Sequence, residues 1–285
     1  MKVLSLFDGI SCGMVALERA GIPVEKYTAY EIEPNAIKIS KKNYPQIEHC
    51  GDVMQADFSK YNGIDLLIGG SPCQGFSFAG KQLNFNDERS KLFFEYVRAI
   101  KEAQPKYFLL ENVKMKKEYQ DIISECLGVE PIIIDSALVS AQNRKRLYWT
   151  NIPNIAQPVD KGILLGDVFD ASAIHREIKI NHPETIRHTK NYAQYDQHLR
   201  GNGSQDQRYY YMNGKSGTLL VSSSSIPKVM SNGKCWLFTP SECEKLQTLP
   251  HGYTDGISNA KRYECIGNGW TVDVIAHILS FIPRV

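Results

Sequence analysis

Residues 3–151 alternate short apolar runs with stretches whose apolar residues recur at helical spacing, and this alternation constrains the fold strongly. Strands separated by helix-length segments favour a parallel α/β sheet over a β-sandwich. We therefore predict a doubly wound, mostly parallel sheet of seven strands. The predicted strands are residues 3–7, 27–31, 47–50, 65–69, 107–111, 132–139 and 147–151, and the predicted helices are residues 13–20, 34–44, 90–103, 116–127, 240–246 and 272–282.

The chain has 285 residues, of which 42% are hydrophobic, as is typical of a globular protein with one large core or a large core and a smaller lobe. No apolar run approaches the roughly 20 residues that a membrane helix requires, so we expect a cytoplasmic protein that binds no membrane. The seven cysteines are scattered, without a C-x-x-C spacing. Neither a disulfide framework nor a metal site is therefore expected.

A second region has a different character. Residues 181–234 are rich in Asn, Gln, Ser, Gly, His and Tyr and lose helical periodicity. Short β-prone runs at 209–211 and 218–221 favour a small, loop-rich domain over a disordered linker. Residues 171–234 hold nine Lys and Arg against four Asp and Glu, so this region is the better candidate for contact with a polyanion.

The first predicted strand ends in a tight turn, residues 7–13, and acids follow the second and third strands at Glu31 and Asp52. In doubly wound sheets ligands bind beyond the carboxyl ends of the strands, where an acid after the second strand can bind ribose hydroxyls. A nucleoside site is one interpretation, with Asp52 accepting from an adenine amine. The alternative is that the glycines only form the turn and that Glu31 is a solvated acid.

A glycine-rich stretch, residues 69–81, follows the apolar run 64–68 and contains Cys73. A loop that leaves a buried strand suits a nucleophile that must approach a partner. Because a cysteine reacts as its thiolate, which cationic neighbours favour, this interpretation requires basic groups to converge on Cys73 from elsewhere in the chain.

Two further features could supply the partners of Cys73. Glu111 follows an apolar strand, so its carboxylate is expected at the same sheet edge, where it could donate a proton to a ring nitrogen. If residues 142–146 are extended, Gln142, Arg144 and Arg146 lie on one side and offer two guanidinium groups. Taken singly, these features also fit a surface acid and a solvated run of charge.

Together and in this order, the features resemble the cytosine-C5 DNA methyltransferase family of prokaryotic or phage type, nearly from end to end. The most specific similarities are Pro72-Cys73-Gln74, Glu111-Asn112-Val113 and Gln142-x-Arg144-x-Arg146. The others are residues 7–13, Glu31, Asp52, residues 87–93, residues 237–242 with Leu246, Gln247 and Pro250, and Gly267-Asn268-Gly269 with Val272.

The resemblance implies a Rossmann-like methyltransferase in which Cys73 attacks C6 of a flipped-out cytosine within a specific duplex sequence. Glu111 would engage N3 and the exocyclic amine, and C5 would receive methyl from S-adenosylmethionine. Arg146, with Arg144, would contact the base carbonyl and a nearby phosphate. The implied cofactor-binding residues are Phe7, Gly9, Ile10, Glu31, Ile32, Asp52, Val53, Pro72 and Asn268, and the implied DNA-binding residues are Gln74, Ser77, Lys81, Arg89, Gln142 and Thr218.

The resemblance also implies a domain organisation and partners. Residues 1–168 plus 260–285 would form the catalytic and cofactor-binding domain, and residues 169–259 the target-recognition domain. Double-stranded DNA would be the substrate of a monomeric, nucleoid-associated protein without a metal. A restriction endonuclease could be paired with it genetically.

The chain departs from the family pattern at Ser11-Cys12-Gly13, where two adjacent glycines are usual, and at Ala79, where some members have a serine that fills the space left by the flipped base. One alternative is a transfer-RNA cytosine-C5 methyltransferase, but Ser71 replaces the first proline of the Pro-Pro-Cys motif of that branch. Another is an inactive DNA-binding homologue, against which the intact Cys73 and Glu111 argue.

Overall fold

The computed structural model describes residues 1–71, 88–179, 186–188, 190, 192–195, 208–221, 226–231 and 233–283. The chain divides into two compact units. The first comprises Met1–Ile134, Lys145–Gln157 and Val274–Val285, and the second comprises Asp135–Arg144 and Pro158–Asp273. These bounds differ from those of the two functional domains expected from the sequence, which stay a prediction.

The first unit is built on a seven-stranded sheet, as the sequence predicts. Its strands are β1 (Lys2–Leu6), β2 (Lys26–Tyr30), β3 (Glu48–His49), β4 (Leu66–Gly69), β5 (Tyr107–Val113), β6 (Ile132–Asp135) and β7 (Lys145–Thr150). Their spatial order is β3-β2-β1-β4-β5-β7-β6. The pairs from β3 through β5 are parallel, and β7 runs antiparallel to β5. The predicted fold class is confirmed.

The sixth strand is shorter than the predicted 132–139. It ends at Asp135 because a 3-10 turn, Ser136–Leu138, follows directly. The Asp135 carboxylate starts that turn by accepting from the Ala137 N–H at 3.1 Å. An acid at this position therefore acts as a helix cap and stops the strand.

Four helices alternate with these strands, as predicted: α1 (Cys12–Arg19), α2 (Pro34–Asn43), α3 (Glu88–Ala103) and α4 (Lys117–Leu127). Local chemistry sets their ends. Pro34 stands at the first position of α2, where its missing N–H costs nothing, and the Glu33 carboxylate accepts from the Asn35 N–H at 3.3 Å. Helix α4 ends at Gly128, whose φ of 71° favours glycine.

The core beneath the sheet keeps the carboxyl end of β4 close to its neighbours. A Cβ atom at Gly69 would lie 2.9 Å from the Leu6 carbonyl oxygen and 2.9 Å from the Tyr96 ring. Only glycine permits this approach. The strand end that leads towards Cys73 is therefore packed tightly against β1 and α3.

The second unit contains a six-stranded sheet, where the sequence predicts a loop-rich domain. Its strands are β8 (Arg176–Glu177), β9 (Ile186–His188), β10 (Tyr192–Tyr195), β11 (Arg208–Tyr211), β12 (Lys228–Ser231) and β13 (Lys234–Leu237), in the order β8-β13-β12-β11-β10-β9. Strands β11 and β12 pair in parallel and the other pairs are antiparallel. The β-prone run at 209–211 lies in β11, but residues 218–221 form no strand.

The remaining helices of the described chain are α5 (Leu165–Val168), α6 (Pro240–Leu246), α7 (Asn259–Asn268) and α8 (Val272–Leu279). The helix predicted at 240–246 is confirmed as α6, and its start has a capping box. Thr239 Oγ1 accepts from the Glu242 N–H, and the Glu242 carboxylate accepts from the Thr239 N–H at 2.7 Å.

None of the helices among the described residues is long and apolar enough to cross a membrane. The same residues contain no group of three or more His, Cys, Asp or Glu that could hold a metal ion.

Candidate functional site

The turn between β1 and α1 has an unusual backbone. Phe7, Gly9 and Ser11 have φ angles of 57°, 59° and 59°, a left-handed conformation that costs energy in residues other than glycine. Ser11 is held there by its N–H, which donates to the Asp8 carbonyl at 3.1 Å, and by its hydroxyl, which lies 2.6 Å from Ser40 Oγ. A Cβ atom at Gly9 would meet no atom within 4 Å. The turn therefore offers open space beside its main chain.

Glu31, the residue after β2, ties this turn to the sheet. Its Oε2 accepts from the Gly9 N–H at 2.7 Å, and its Oε1 accepts from the N–H groups of Ile32 and Glu33, each at 2.8 Å. An ionised carboxylate has about four acceptor positions, so capacity remains for a ligand hydroxyl. Glu31 is thus an ordered acid at the carboxyl edge, which argues against the alternative of a merely solvated one.

Asp8 is a second acid of this turn that the sequence analysis did not select. Its carboxylate accepts from the Tyr27 hydroxyl at 2.7 Å and from the Ser11 hydroxyl. Burial disfavours the charged form and raises the pKa of Asp8 to about 6, although these hydrogen bonds oppose the rise. The available signal was its position directly after the strand predicted at 3–7.

The segments that follow β2 and β3 add an apolar side chain and an acid at the same edge of the sheet. The Asp52 carboxylate accepts from the Met54 N–H at 2.9 Å, and Ile32 is 68% exposed. Two other predicted cofactor residues, Ile10 and Val53, are buried. A ligand at this edge would therefore meet the side chain of Ile32, whereas Ile10 and Val53 pack into the protein.

A carboxylate and a guanidinium meet on β5 and β7. Arg146 Nε donates to Glu111 Oε1 at 2.9 Å, and only 11% and 12% of the two side chains is exposed. The register pairs Glu111 with Tyr148 and Val113 with Arg146, so the two charged residues are diagonal neighbours on the antiparallel pair. Arg146 also donates from Nη1 to the Lys145 carbonyl at 3.0 Å. The two groups that the sequence predicts to act together are in direct contact.

The same strand contacts the chain just before Cys73. Asn112 Nδ2 lies 3.4 Å from both the carbonyl oxygen and the hydroxyl of Ser71, and both residues are buried. Ser71 stands two positions before Cys73 and Asn112 stands next to Glu111. The predicted residues Pro72, Cys73, Gln74, Ser77 and Lys81 lie outside the described residues, and Arg89 belongs to α3.

Gln142 and Arg144 lie in the second unit and are buried, at 0% and 4% exposure. Gln142 Oε1 accepts from the Leu219 N–H at 2.7 Å, and its Nε2 lies 3.2 Å from the Leu246 carbonyl and from Gln247 Oε1. Residues 142–144 form no extended strand with Arg146, contrary to the conformation considered for 142–146. This burial gives no support to the predicted contact of Gln142 with DNA.

Arg144 is engaged by main-chain carbonyls. Nη1 donates to Leu219 at 2.8 Å, and Nη2 donates to Gly267 at 3.2 Å and to Gly269 at 3.0 Å. The two arginines of the motif therefore have different partners. Arg146 faces a carboxylate of the first unit, and Arg144 faces carbonyls of the second, so a catalytic role of Arg144 stays a prediction.

The last two predicted residues lie on segments that these buried side chains hold. Thr218 Oγ1 donates to the Asn143 carbonyl at 2.8 Å. Asn268, the final residue of α7, is exposed between the buried Gly267 and Gly269. Gln247 also joins this buried network. It lies in a motif that the resemblance covers, but no role was predicted for it.

Comparison with known proteins gives a consistent result. The model of the C-5 cytosine-specific DNA methylase family matches residues 1–284. The type II methyltransferase M1.ScrFI of Lactococcus lactis subsp. cremoris is 30% identical over 309 aligned residues, covering 100% of this chain and 78% of that protein. The orphan methyltransferase M.SPRI of Bacillus phage SPR is 38% identical over 165 residues, 53% of this chain but only 38% of that protein.

A solved structure supports the fold. The Entamoeba histolytica methyltransferase EhMeth superposes with a TM-score of 0.73, covering 99% of this chain and 97% of that one. The two sequences are 18% identical. At this level of identity, the likeness bears on the fold alone.

Proposed function

The chain belongs to the C-5 cytosine-specific DNA methylase family, and we propose that it transfers a methyl group from S-adenosylmethionine to C5 of a cytosine in a specific duplex DNA sequence. The contact of Glu111 with Arg146 carries this proposal, because it joins two residue types that the chemistry requires at one strand pair. This chemistry also needs Cys73, which stands two positions after Ser71 in the sequence. Ser71 contacts Asn112, the residue next to Glu111.

The carboxyl edge of the first sheet fits a nucleoside with a charged side chain. The open turn at Gly9 lets main-chain groups approach, Glu31 retains acceptor capacity for ribose hydroxyls, and the exposed Ile32 offers an apolar contact to a flat base. Asp52 could accept from an exocyclic amine. When bound there, S-adenosylmethionine supplies the methyl group.

The catalytic roles divide among three side chains. Cys73 attacks C6 of the cytosine as a thiolate, which makes C5 nucleophilic, and loss of the C5 proton after methyl transfer expels the thiolate from C6. Glu111 engages N3 and the exocyclic amine. Arg146 orients Glu111 through Nε and, among the described residues, donates one further hydrogen bond, to Lys145. Its other N–H groups can therefore contact the base carbonyl.

The base must leave the stack for this chemistry, because C6 is not accessible within a duplex. Gln74, Ser77, Lys81, Arg89 and Thr218 are the proposed DNA contacts, together with the basic region 171–234. That region has nine basic and only four acidic residues, which supports a salt-dependent affinity for DNA. A monomeric state, a nucleoid location and a paired endonuclease rest on the family resemblance.

Methyl transfer can be tested with tritiated S-adenosylmethionine. We expect label to enter mixed-sequence duplex DNA and not transfer RNA. Label in transfer RNA alone would contradict the DNA assignment. Bisulfite sequencing of DNA from a heterologous host that expresses the protein would then identify the methylated sequence.

The role of Cys73 has a separate test. Duplex DNA containing 5-fluorocytosine should trap the wild-type protein covalently, because the fluorine cannot leave C5 as a proton does. Cys73→Ser should abolish trapping while S-adenosylhomocysteine still binds. Trapping that persists in the variant would remove Cys73 from this role.

A further inference from the structure

The C-terminal end of α7 is buried and is completed by side chains that are distant in sequence. The last carbonyls of a helix lack partners within the helix and need other donors. Arg144 Nη2 donates to the carbonyls of Gly267 and Gly269, and Gln247 Nε2 donates to those of Ile266, at 2.9 Å, and Gly269, at 3.0 Å. Two buried side chains therefore cap this helix end, on which the exposed Asn268 stands.

The same guanidinium holds a second segment. Arg144 Nη1 donates to the Leu219 carbonyl at 2.8 Å, and the Leu219 N–H donates to Gln142 Oε1. Both main-chain polar groups of Leu219 are thereby fixed. The segment also lies directly on α7, because a Cβ atom at Gly267 would be 2.4 Å from the Leu220 carbonyl oxygen.

We propose that Arg144 is a positioning residue that fixes the Thr218–Leu219 segment and the Gly267–Gly269 segment relative to each other. This inference rests on the proposed function, because Thr218 is a proposed DNA contact and Asn268 a proposed cofactor contact. A guanidinium that left this position to reach a substrate would take a donor away from the carbonyls of Leu219 and Gly267 and leave that of Gly269 to Gln247, which is costly in a buried environment. Contact with the reacting base is left to Arg146.

The planar shape of the guanidinium matters for this role. Its Nη1 and Nη2 atoms point to different segments at the same time, whereas a lysine offers all its donors from one atom. Lysine can therefore hold one segment but not both. Arg144→Lys should consequently behave as a partial replacement, and Arg144→Met, which keeps the length and loses every donor, as a full loss.

The decisive measurements use the full-length protein without DNA. Calorimetry with S-adenosylhomocysteine should show affinity about 10-fold weaker for Arg144→Met, as expected for one lost hydrogen bond at a ligand-facing residue, with a smaller loss for Arg144→Lys. Amide hydrogen exchange should accelerate in both 217–221 and 266–271. Gln247→Met should accelerate exchange in 266–271, since it removes the other cap.

Arg262→Met is the matched control. Arg262 also lies in α7 and only 12% of its side chain is exposed, but it pairs with Glu244 at 3.0 Å and Asp255 at 2.9 Å. We expect this variant to leave exchange in 217–221 unchanged. Acceleration there equal to that of Arg144→Met would overturn the proposal, because the effect would then be general.

Two further outcomes separate this inference from the proposed function. If Arg144→Met and Arg144→Lys kept wild-type exchange and S-adenosylhomocysteine affinity but lost methyl transfer, Arg144 would contact the substrate and the proposal would be wrong. A different outcome is that Asn268→Ala binds S-adenosylhomocysteine as the wild type does, while Arg144→Met shows faster exchange in both segments. The positioning role of Arg144 would then stand. The cofactor role of Asn268 would then fail.

Discussion

Arg146 Nε donates to Glu111 Oε1 at 2.9 Å across the antiparallel strands β5 and β7. Because little of either side chain is exposed, each charge depends on the other for compensation. The pair fixes the orientation of the carboxylate before any base arrives. A group held in place in this way avoids reorganisation during the reaction.

Glu111→Gln should therefore lower the rate of methyl transfer far more than it lowers stability. The amide keeps an oxygen that can accept from Arg146, but it cannot exchange a proton with the base. We expect kcat to fall by about 10²–10⁴-fold, the usual contribution of a positioned acid or base. The measurement is methyl transfer to duplex DNA at saturating substrate. Glu118→Gln, at an exposed acid of α4, is the control, and similar rates for both variants would contradict the role of Glu111.

Gly267→Ala should destabilise the protein, although alanine normally stabilises a helix by about 1 kcal/mol relative to glycine. The new Cβ would lie 2.4 Å from the Leu220 carbonyl oxygen, and Arg144 and Gln142 hold the adjoining Leu219. Overpacking of this kind costs about 1–3 kcal/mol. Urea unfolding should thus show a lower midpoint.

The control for that variant is Gly166→Ala in α5, where the Cβ would lie 3.3 Å from the Met212 carbonyl oxygen. A contact at this distance requires a shift of only a few tenths of an ångström. We expect a change within about 1 kcal/mol. A rise in the midpoint of Gly267→Ala would show that the 219–221 segment is not fixed.

The first sheet could be predicted because its signals are local. Most of the strands are short apolar runs, and a helix of ordinary length follows most of them, so periodicity locates these elements. The acids at Glu31 and Glu111 follow from the same reasoning, since parallel strands present their carboxyl ends at one edge. The contact of Glu111 with Arg146 was likewise accessible, because both residues belong to the motifs that the resemblance covers.

The hydrogen-bond partners of Arg144 could not be predicted from its spacing in the sequence. Alternation within 142–146 would place it beside Arg146, but its three carbonyl partners lie 75, 123 and 125 residues further along the chain. Contacts at such separation leave no periodic signal. The six-stranded sheet of the second unit was not predicted for a related reason. Its strands of two to four residues are too short to show alternation of apolar and polar residues.

Asp8→Asn should change the pH dependence of stability. The pKa of Asp8 is about 6 in the folded protein against 3.8 as its ordinary value. Between these pH values the folded protein keeps a proton that the unfolded chain has lost, so wild-type stability falls as pH rises from about 4 to 6. The asparagine variant does not titrate. The free energy of unfolding of the variant, relative to that of the wild type, should therefore rise by at most about 3 kcal/mol as pH increases from about 4 to 6. Above pH 6 the difference between the two proteins should stay constant.

Urea unfolding at several pH values between 4.5 and 7.5 would measure this difference. Asp57→Asn is the control, because hydrogen bonds from Ser59 lower the pKa of that exposed carboxyl. Its contribution is lost only as pH falls through the low pKa, so the control should show no trend in this range. A flat difference for Asp8→Asn would mean that Asp8 is ionised throughout.

Ile32→Ala should weaken cofactor binding without affecting the fold. The side chain is 68% exposed, so folding gains little from it, and the free energy of unfolding should change by less than about 0.5 kcal/mol. If S-adenosylhomocysteine covers it, the lost apolar contact corresponds to about 10-fold in affinity. Calorimetry measures the affinity, and Ile133→Ala, at a 50% exposed isoleucine of β6, is the control. Equal affinities for the two variants would exclude Ile32 from the cofactor site, because an exposed isoleucine that touches no ligand can be shortened without consequence.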